Sequence, residues 1–161
     1  MTEKSYAVEI GHPPSNLLRI VNPILAALLH TPLVGSLREQ LMVLSFNGRK
    51  SGRQFSIPLS AHIIDGELYA LTNAAWKQNF LDGAPAQVLY DGKTTAMRGE
   101  LIRDRATVAD LALRCAQSYD VKQAQRMMGL KFRDQRVPTL EEFGEAVERL
   151  RMAAIRLTPA S

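Results

Sequence analysis

Six consecutive residues, Gly48-Arg49-Lys50-Ser51-Gly52-Arg53, gather three cations, a hydroxyl and two glycines. A plain hairpin turn needs glycine but not three positive charges. Glycines let successive amide N–H groups converge into an anion-binding concavity. Lys50 adds a compact charge, Ser51 a hydroxyl donor, and Arg49 or Arg53 a planar fork. Together these are the requirements of phosphate recognition; the alternative is a solvated turn whose charges serve solubility. A nucleotide-hydrolase P-loop is excluded. Lys50-Ser51 would need glycine directly before it and again five residues earlier, and those positions hold Arg49 and Leu44.

A second concentration of chemistry is Thr72-Asn73-Ala74-Ala75-Trp76-Lys77-Gln78-Asn79, where a strand-like run passes into a short helical one. First-turn N–H groups of a helix can meet an anion or carbonyl, and the small Ala74 and Ala75 let a flat ring approach. Trp76 can wall such a pocket, with Asn79 facing inward one turn later. The alternative here is Trp76 as a core aromatic and Asn79 as a structural hydrogen-bonder. His12, His30 and His62 have no partners at metal-ligand spacing, so no metal site is expected. The lone Cys115 sits on an apolar helical face, as a packing residue would.

The elements that must position these residues are legible in the hydrophobic periodicity. Residues 41–46, Leu-Met-Val-Leu-Ser-Phe, form a nearly continuous apolar run, the pattern of a strand buried on both faces. Beyond the basic turn, Phe55, Ile57, Leu59, Ala61 and Ile63 alternate with polar residues and Pro58, so 41–64 reads as a long hairpin. Pro58 forgoes a ladder bond and marks an edge or an opening of the sheet. Asp65-Gly66 and Asp91-Gly92 are turn pairs suited to positive φ, flanked by strand-like runs at 67–72, 87–90 and 94–103. Residues 76–81 form a crossover helix ended by Gly83 and Pro85, three helical segments follow at 108–115, around Ala124 and Met127-Met128, and at 140–150 after Pro138, and 152–157 is a last strand.

The N-terminal part carries Leu17, Leu18, Val21, Ile24, Leu25, Leu28 and Leu29 at the spacing of an amphipathic helix, interrupted by Asn22-Pro23. Proline either kinks one helix or opens a second. The stretch is too short and too polar to span a bilayer, and no small-residue cleavage site follows it, so neither export nor membrane spanning is expected. Packing on the domain's own sheet and resting on a membrane surface both suit it. The whole is expected to be α+β: a split β-barrel of about six mainly antiparallel strands in a single domain of 1–161, with residues 1–40 as a helical extension. The formal charge of +4 favours anionic partners, while the aromatics that single-strand nucleic-acid binders interleave with cations are sparse. One cysteine permits no intrachain disulfide and suits a reducing cytoplasm, with contact to the inner membrane surface through the N-terminal helix as an option.

Three features occur together in this order. They are Gly48-Arg49-Lys50-Ser51-Gly52 followed by Pro58-Leu59, then Trp76-x-x-Asn79-Phe80, then Gly83-Ala84-Pro85 leading into a strand. In this combination, over about residues 17–102, the chain resembles the deazaflavin (coenzyme F420)-dependent nitroreductase and quinone-reductase family. These are split β-barrels related to pyridoxamine-phosphate-oxidase-like flavin-binding proteins. The resemblance implies that the basic turn grips the coenzyme's phosphate and acidic tail, and that the backbone near the proline and the tryptophan segment borders the deazaflavin ring. Carried over by position, the implied cofactor-binding residues are Arg49, Lys50, Ser51, Gly52, Pro58, Trp76 and Asn79. Many members carry a glycine-rich loop with extra residues before the tryptophan, whereas here Leu71-Thr72-Asn73-Ala74-Ala75 reaches Trp76 directly.

The resemblance further implies hydride transfer from reduced F420 to a planar, electron-poor small molecule such as a quinone, enone or nitroaromatic. Tyr119, Tyr69 and Ser60, or water, are the candidates to supply the accompanying proton. A second reading keeps the same barrel as a non-catalytic holder of FMN, haem or another planar ligand. No nucleic-acid partner is expected, and a homodimer through a sheet face or the apolar helix is compatible with either reading.

Overall fold

The computed structural model describes residues 6–11 and 40–160, so the amphipathic segment expected at 17–29 lies outside the described residues. Nine strands and three α-helices are described. The strands are β1 (Val8–Ile10), β2 (Leu41–Asn47), β3 (Gln54–Ser60), β4 (His62–Ile64), β5 (Glu67–Thr72), β6 (Ala84–Tyr90), β7 (Lys93–Ile102), β8 (Leu130–Phe132) and β9 (Ala153–Pro159). The helices are α1 (Arg105–Gln117), α2 (Val121–Met128) and α3 (Leu140–Leu150), with a 3-10 helix at Ala75–Phe80. They group into two compact units, one built mainly from residues 40–70, 74–101 and 155–160, the other mainly from 6–11 and 102–154.

Seven strands form one sheet in the order β3-β2-β6-β7-β9-β5-β4, and the β3–β2, β2–β6, β6–β7 and β5–β4 pairings are antiparallel. The two edge strands, β3 and β4, are neighbours in sequence, separated by Ala61 alone. A flat seven-stranded sheet would hold its edges about 29 Å apart, at roughly 4.8 Å per step, which one residue cannot span. The sheet therefore curls until its edges meet through the chain rather than through a ladder, which makes a split β-barrel. The expected long hairpin is thus a hairpin only as far as Ser60, with Leu41 opposite Ser60 and Asn47 opposite Gln54. From His62 onward the chain belongs to the other edge, where His62 faces Tyr69. Pro58 lies on edge strand β3, the position at which a missing N–H costs no ladder bond.

The barrel core follows the alternation read along β2. Met42, Leu44 and Phe46 point inward, and opposite them lie Leu59, Ile57 and Phe55 of β3. Val88 of β6 faces Leu44, and Ala86, Leu68, Ile155 and Leu157 complete the cluster. Val43 pairs with Leu89 on the opposite face, so β2 is buried on both sides as its apolar run implied. Asp65-Gly66 and Asp91-Gly92 have φ of 52° and 79°, and 50° and 75°, the paired left-handed geometry of two-residue hairpin turns.

The 3-10 helix is fixed to this core by Phe80, which is fully buried and meets Phe46 edge-on at 5.0 Å between ring centroids. Trp76 rests on the same rings, 5.7 Å from Phe46 and 6.3 Å from Phe80. Gly99 of β7 provides the room: a β-carbon there would stand 2.6 Å from Cδ1 of Phe80 and 3.3 Å from Ile155. In the smaller unit, β1 pairs with β8, a ribbon for which the sequence pattern showed no strand signal. α3 packs on α1, and Phe132 meets Phe143 edge-on at 6.1 Å. Asp104, Asp120 and Thr139 cap the three α-helices, Thr139 with Glu142 as a capping box. Cys115 is buried on α1, where burial pushes its thiol up to about 12 and leaves it inert. No helix among the described residues is long and apolar enough to cross a membrane.

Two consequences are measurable. Gly99→Ala should destabilise the fold by about 1–3 kcal/mol, because the added methyl would overlap the fully buried Phe80 ring; an unchanged urea midpoint would contradict the Phe80–Gly99 packing. His62 is 2 % exposed, and burial lowers its imidazole from 6.5 to about 4. Between those values the unfolded chain binds a proton that the folded chain does not. Stability conferred by neutral His62 is therefore complete above about pH 6.5, falls on acidification and is exhausted below about pH 4, a loss of up to about 3 kcal/mol. His62→Gln should flatten urea midpoints across that window, and an unchanged slope would assign the acid sensitivity to other groups.

Candidate functional site

The basic turn joins β2 to β3 and is tied off at its base by two backbone bonds. Gly48 N–H donates to Arg53 O at 2.8 Å, and Gly52 N–H donates to Gly48 O at 2.9 Å. Gly52 sits at φ +69°, where a side chain would be strained. Gly48 is needed for a different reason: a β-carbon there would crowd the Phe55 ring and Ser51 Oγ, both at 3.0 Å. Phe55 is thereby held against the turn, stacked on Phe46 at 5.5 Å with its outer face 36 % exposed. Ser51 Oγ accepts from Arg53 N–H at 3.2 Å.

The two regions singled out by sequence, some thirty residues apart, meet in space. Gly48, Arg49, Lys50, Ser51 and Phe55 line one side of a cleft of about 650 Å³, with Ala75, Gln78, Asn79 and Leu81 on the other. This lies within the roughly 300–1,000 Å³ that small-molecule sites occupy. The described residues of its lining include two cations and no carboxylate, histidine, cysteine or tyrosine. Arg49, Lys50 and Ser51 are exposed, so their polar groups are open to a ligand from solvent.

The contact between the two sides differs from the sequence expectation in polarity. That expectation set an anion against the N–H end of the crossover helix, whereas the turn faces its carbonyl end. Arg49 Nη1 donates to Gln78 O at 3.4 Å and to Leu81 O at 3.3 Å. Carbonyls at a helix C-terminus attract a cation, so this arrangement is electrostatically favourable, although Gln78 O also accepts from Leu81 N–H at 3.2 Å. Asn79 bridges the same junction: its Oδ1 accepts from Arg49 N–H at 2.8 Å, and its Nδ2 donates to Trp76 O at 2.7 Å.

Of the residues singled out from sequence, Arg49, Lys50, Ser51 and Asn79 line the cleft, while Gly52, Pro58 and Trp76 do not. Trp76 is half-buried on the core rings, the structural alternative weighed for it. Ser60 ends β3, six residues and about 20 Å along the strand from Gln54 at the turn. Tyr69 lies on β5 opposite His62, and burial, followed by the charge of Glu67, raises its phenol. Tyr119 belongs to the other unit, where its N–H donates to Ala116 O at 3.3 Å. Phe55, Gln78 and Leu81 are cleft residues that sequence reasoning missed, whereas Ala75 lines the cleft and its neighbour Ala74, given the same part, does not. Phe55 had a signal, an aromatic two residues beyond the turn in the strand's alternation; Gln78 and Leu81 had none. Lys77 is buried, with Nζ donating to Ala74 O at 3.4 Å. Among the described residues there is no cluster of histidine, cysteine and carboxylates able to hold a metal.

No protein-family model matches the chain, and no curated protein is similar to it in sequence. Three solved structures are similar in outline. One is a conserved hypothetical protein, Rv2991, from Mycobacterium tuberculosis, with 13 % identity over 99 % of this chain and 87 % of that one and a TM-score of 0.49. Another, described as a domain-swapped dimer, has 13 % identity over 91 % of this chain and all of its own, with a TM-score of 0.45. A NimC/NimA family protein from Clostridium acetobutylicum has 12 % identity over 88 % of this chain and 82 % of its own, with a TM-score of 0.41.

Proposed function

We propose that the chain is an oxidoreductase that holds the phosphate-bearing tail of reduced coenzyme F420 in the cleft between the basic turn and the 3-10 helix. On this reading hydride passes to a planar, electron-poor acceptor of the quinone, enone or nitroaromatic kind. The observation that supports it is the convergence of Arg49, Lys50 and Ser51 with Ala75 and Asn79 on one cleft whose described lining carries two cations and no acid. The residues fit an anionic tail. Lys50 brings an exposed ammonium, and the Lys50 and Ser51 N–H groups have no partner among the described residues. For a flat ring the same cleft offers the exposed face of Phe55 and the small Ala75.

When bound, the deazaflavin supplies the hydride; the chain's part is to bind, orient and shield. Among the described residues that line the cleft none is an acid or base suited to donate the proton, and its exposed rim admits water to that role. A second reading keeps the cleft as a holder of FMN, haem or another planar anionic ligand without turnover. Fluorescence titration with F420 should show saturable binding, weakened at least about tenfold by Lys50→Ala, the loss of one charge-assisted contact. Affinity unchanged in Arg49→Ala/Lys50→Ala would remove the tail site. Saturable binding with no oxidation of the reduced coenzyme, across quinones, enones and nitroaromatics, would replace the enzyme by the binding protein.

A further inference from the structure

We infer that Asn79 and Arg49 are positioning residues that hold the basic turn ready, and that the anion is met by Lys50 and by the Lys50 and Ser51 N–H groups. The anion part of this rests on the phosphate reading of the cleft; the positioning part does not.

The hydrogen-bond inventory of the turn divides the labour. Arg49 N–H is already spent on Asn79 Oδ1 at 2.8 Å, and the Arg49 guanidinium bridges the carbonyls of Gln78 and Leu81. Gly48 and Gly52 N–H close the base of the turn, and Arg53 N–H is taken by Ser51 Oγ. Among residues 48–53 only the N–H groups of Lys50 and Ser51 are left without a partner among the described residues. These adjacent amides, beside the Lys50 ammonium, make the donor set for an anion. Asn79 cannot easily join it, because its carbonyl oxygen and one amide hydrogen are committed at 2.8 and 2.7 Å.

The clamp has an energetic purpose. A six-residue loop between strands loses conformational freedom when it closes on a ligand, and that loss is subtracted from affinity. Here it is met beforehand, in folding, because the 3-10 helix that carries Asn79 is anchored by Phe80 in the core. Removing the Asn79 amide should therefore weaken anion binding while every charge of the cleft remains in place. Removing the Lys50 ammonium should weaken it by subtracting a charge, and so make it less sensitive to salt.

The test uses the full chain, inorganic pyrophosphate as the probe, and amide signals read by NMR. Without ligand, Arg49 N–H should exchange with solvent much more slowly than Lys50 and Ser51 N–H, and Asn79→Ala should abolish that protection. Pyrophosphate should shift the Lys50 and Ser51 amides most. Asn79→Ala should bind it about tenfold more weakly with the wild-type salt dependence, whereas Lys50→Ala should weaken binding and flatten the salt dependence. Arg49→Lys keeps the charge and the N–H but loses the fork across two carbonyls, and it should behave like Asn79→Ala if that variant folds poorly. An unprotected Arg49 N–H overturns the clamp while leaving the phosphate reading intact. Pyrophosphate shifts greatest at the Asn79 side chain overturn the division of labour. A protected Arg49 N–H with no pyrophosphate response at any concentration overturns the assignment of Lys50 and Ser51 together with the phosphate reading.

Discussion

Everything about the site depends on the single residue between β3 and β4. Ala61 joins strands that are the two opposite edges of a seven-stranded sheet, and its N–H is bonded to Gln40 O at 2.8 Å, just ahead of β2. In the curled sheet β3 is an edge, with β2 as its only ladder neighbour among the described strands. The turn between β2 and β3 is accordingly a free end of the sheet. Its backbone can be tied by something other than a strand, and that something is the 3-10 helix.

The helix reaches the turn because its own docking leaves no choice. Phe80 enters the core where Gly99 has no side chain, and Phe46, Phe55 and Trp76 pack around it as one aromatic cluster. Phe46 is the common member: it stacks on Phe55 at the turn and meets both Trp76 and Phe80 on the helix. Burial of such rings contributes a few kcal/mol each, far more than the polar bonds of the exposed turn. The apolar cluster therefore sets the distance between turn and helix, and the Arg49–Asn79 bonds refine it. That ordering explains why the cations of the cleft stand beside the exposed face of Phe55.

Legibility in the sequence tracked how local the deciding physics is. The two-faced burial of β2, the turns at Asp65-Gly66 and Asp91-Gly92, and the edge position of Pro58 follow from patterns a few residues long, and the structure carries each of them. The break of the 41–64 hairpin at Ala61 does not. Phe55 to Ile63 alternate without interruption, and only the closure of the sheet requires the chain to change edges there. The β1–β8 ribbon was invisible for a related reason, since three-residue strands carry too little periodicity to distinguish from loop. At the site, the cations and glycines of residues 48–53 were legible as a group, and Gly48, Arg49, Lys50 and Ser51 of that group line one cleft with Asn79, whereas Gly52 and Arg53 do not. What was not legible was which polar groups are spent. Glycine and lysine spacing shows where donors are plentiful, but the partners of Arg49 lie at Gln78, Asn79 and Leu81, contacts that exist only once the helix has docked.

That spending also bears on chemistry. A cleft that catalyses by its own side chains needs a nucleophile or a proton-transfer group with a tuned environment, and such groups stand out by burial and by a shifted titration. Among the described residues the shifted groups are elsewhere: His62 on β4, Tyr69 on β5, Cys115 on α1, Asp104 capping α1, Arg156 on β9, and the network of Arg133, Asp134 and Arg136 with Glu142 of α3. The first three are core residues, Asp104 and Arg156 are held by Thr107 and Glu100, and the last is a surface network whose partners satisfy one another. The cleft by contrast offers fixed charge, two open amides, an aromatic face and a shape. Those are means of binding and orienting a molecule, and on the proposed reading the reactive centre is the molecule that the cleft binds.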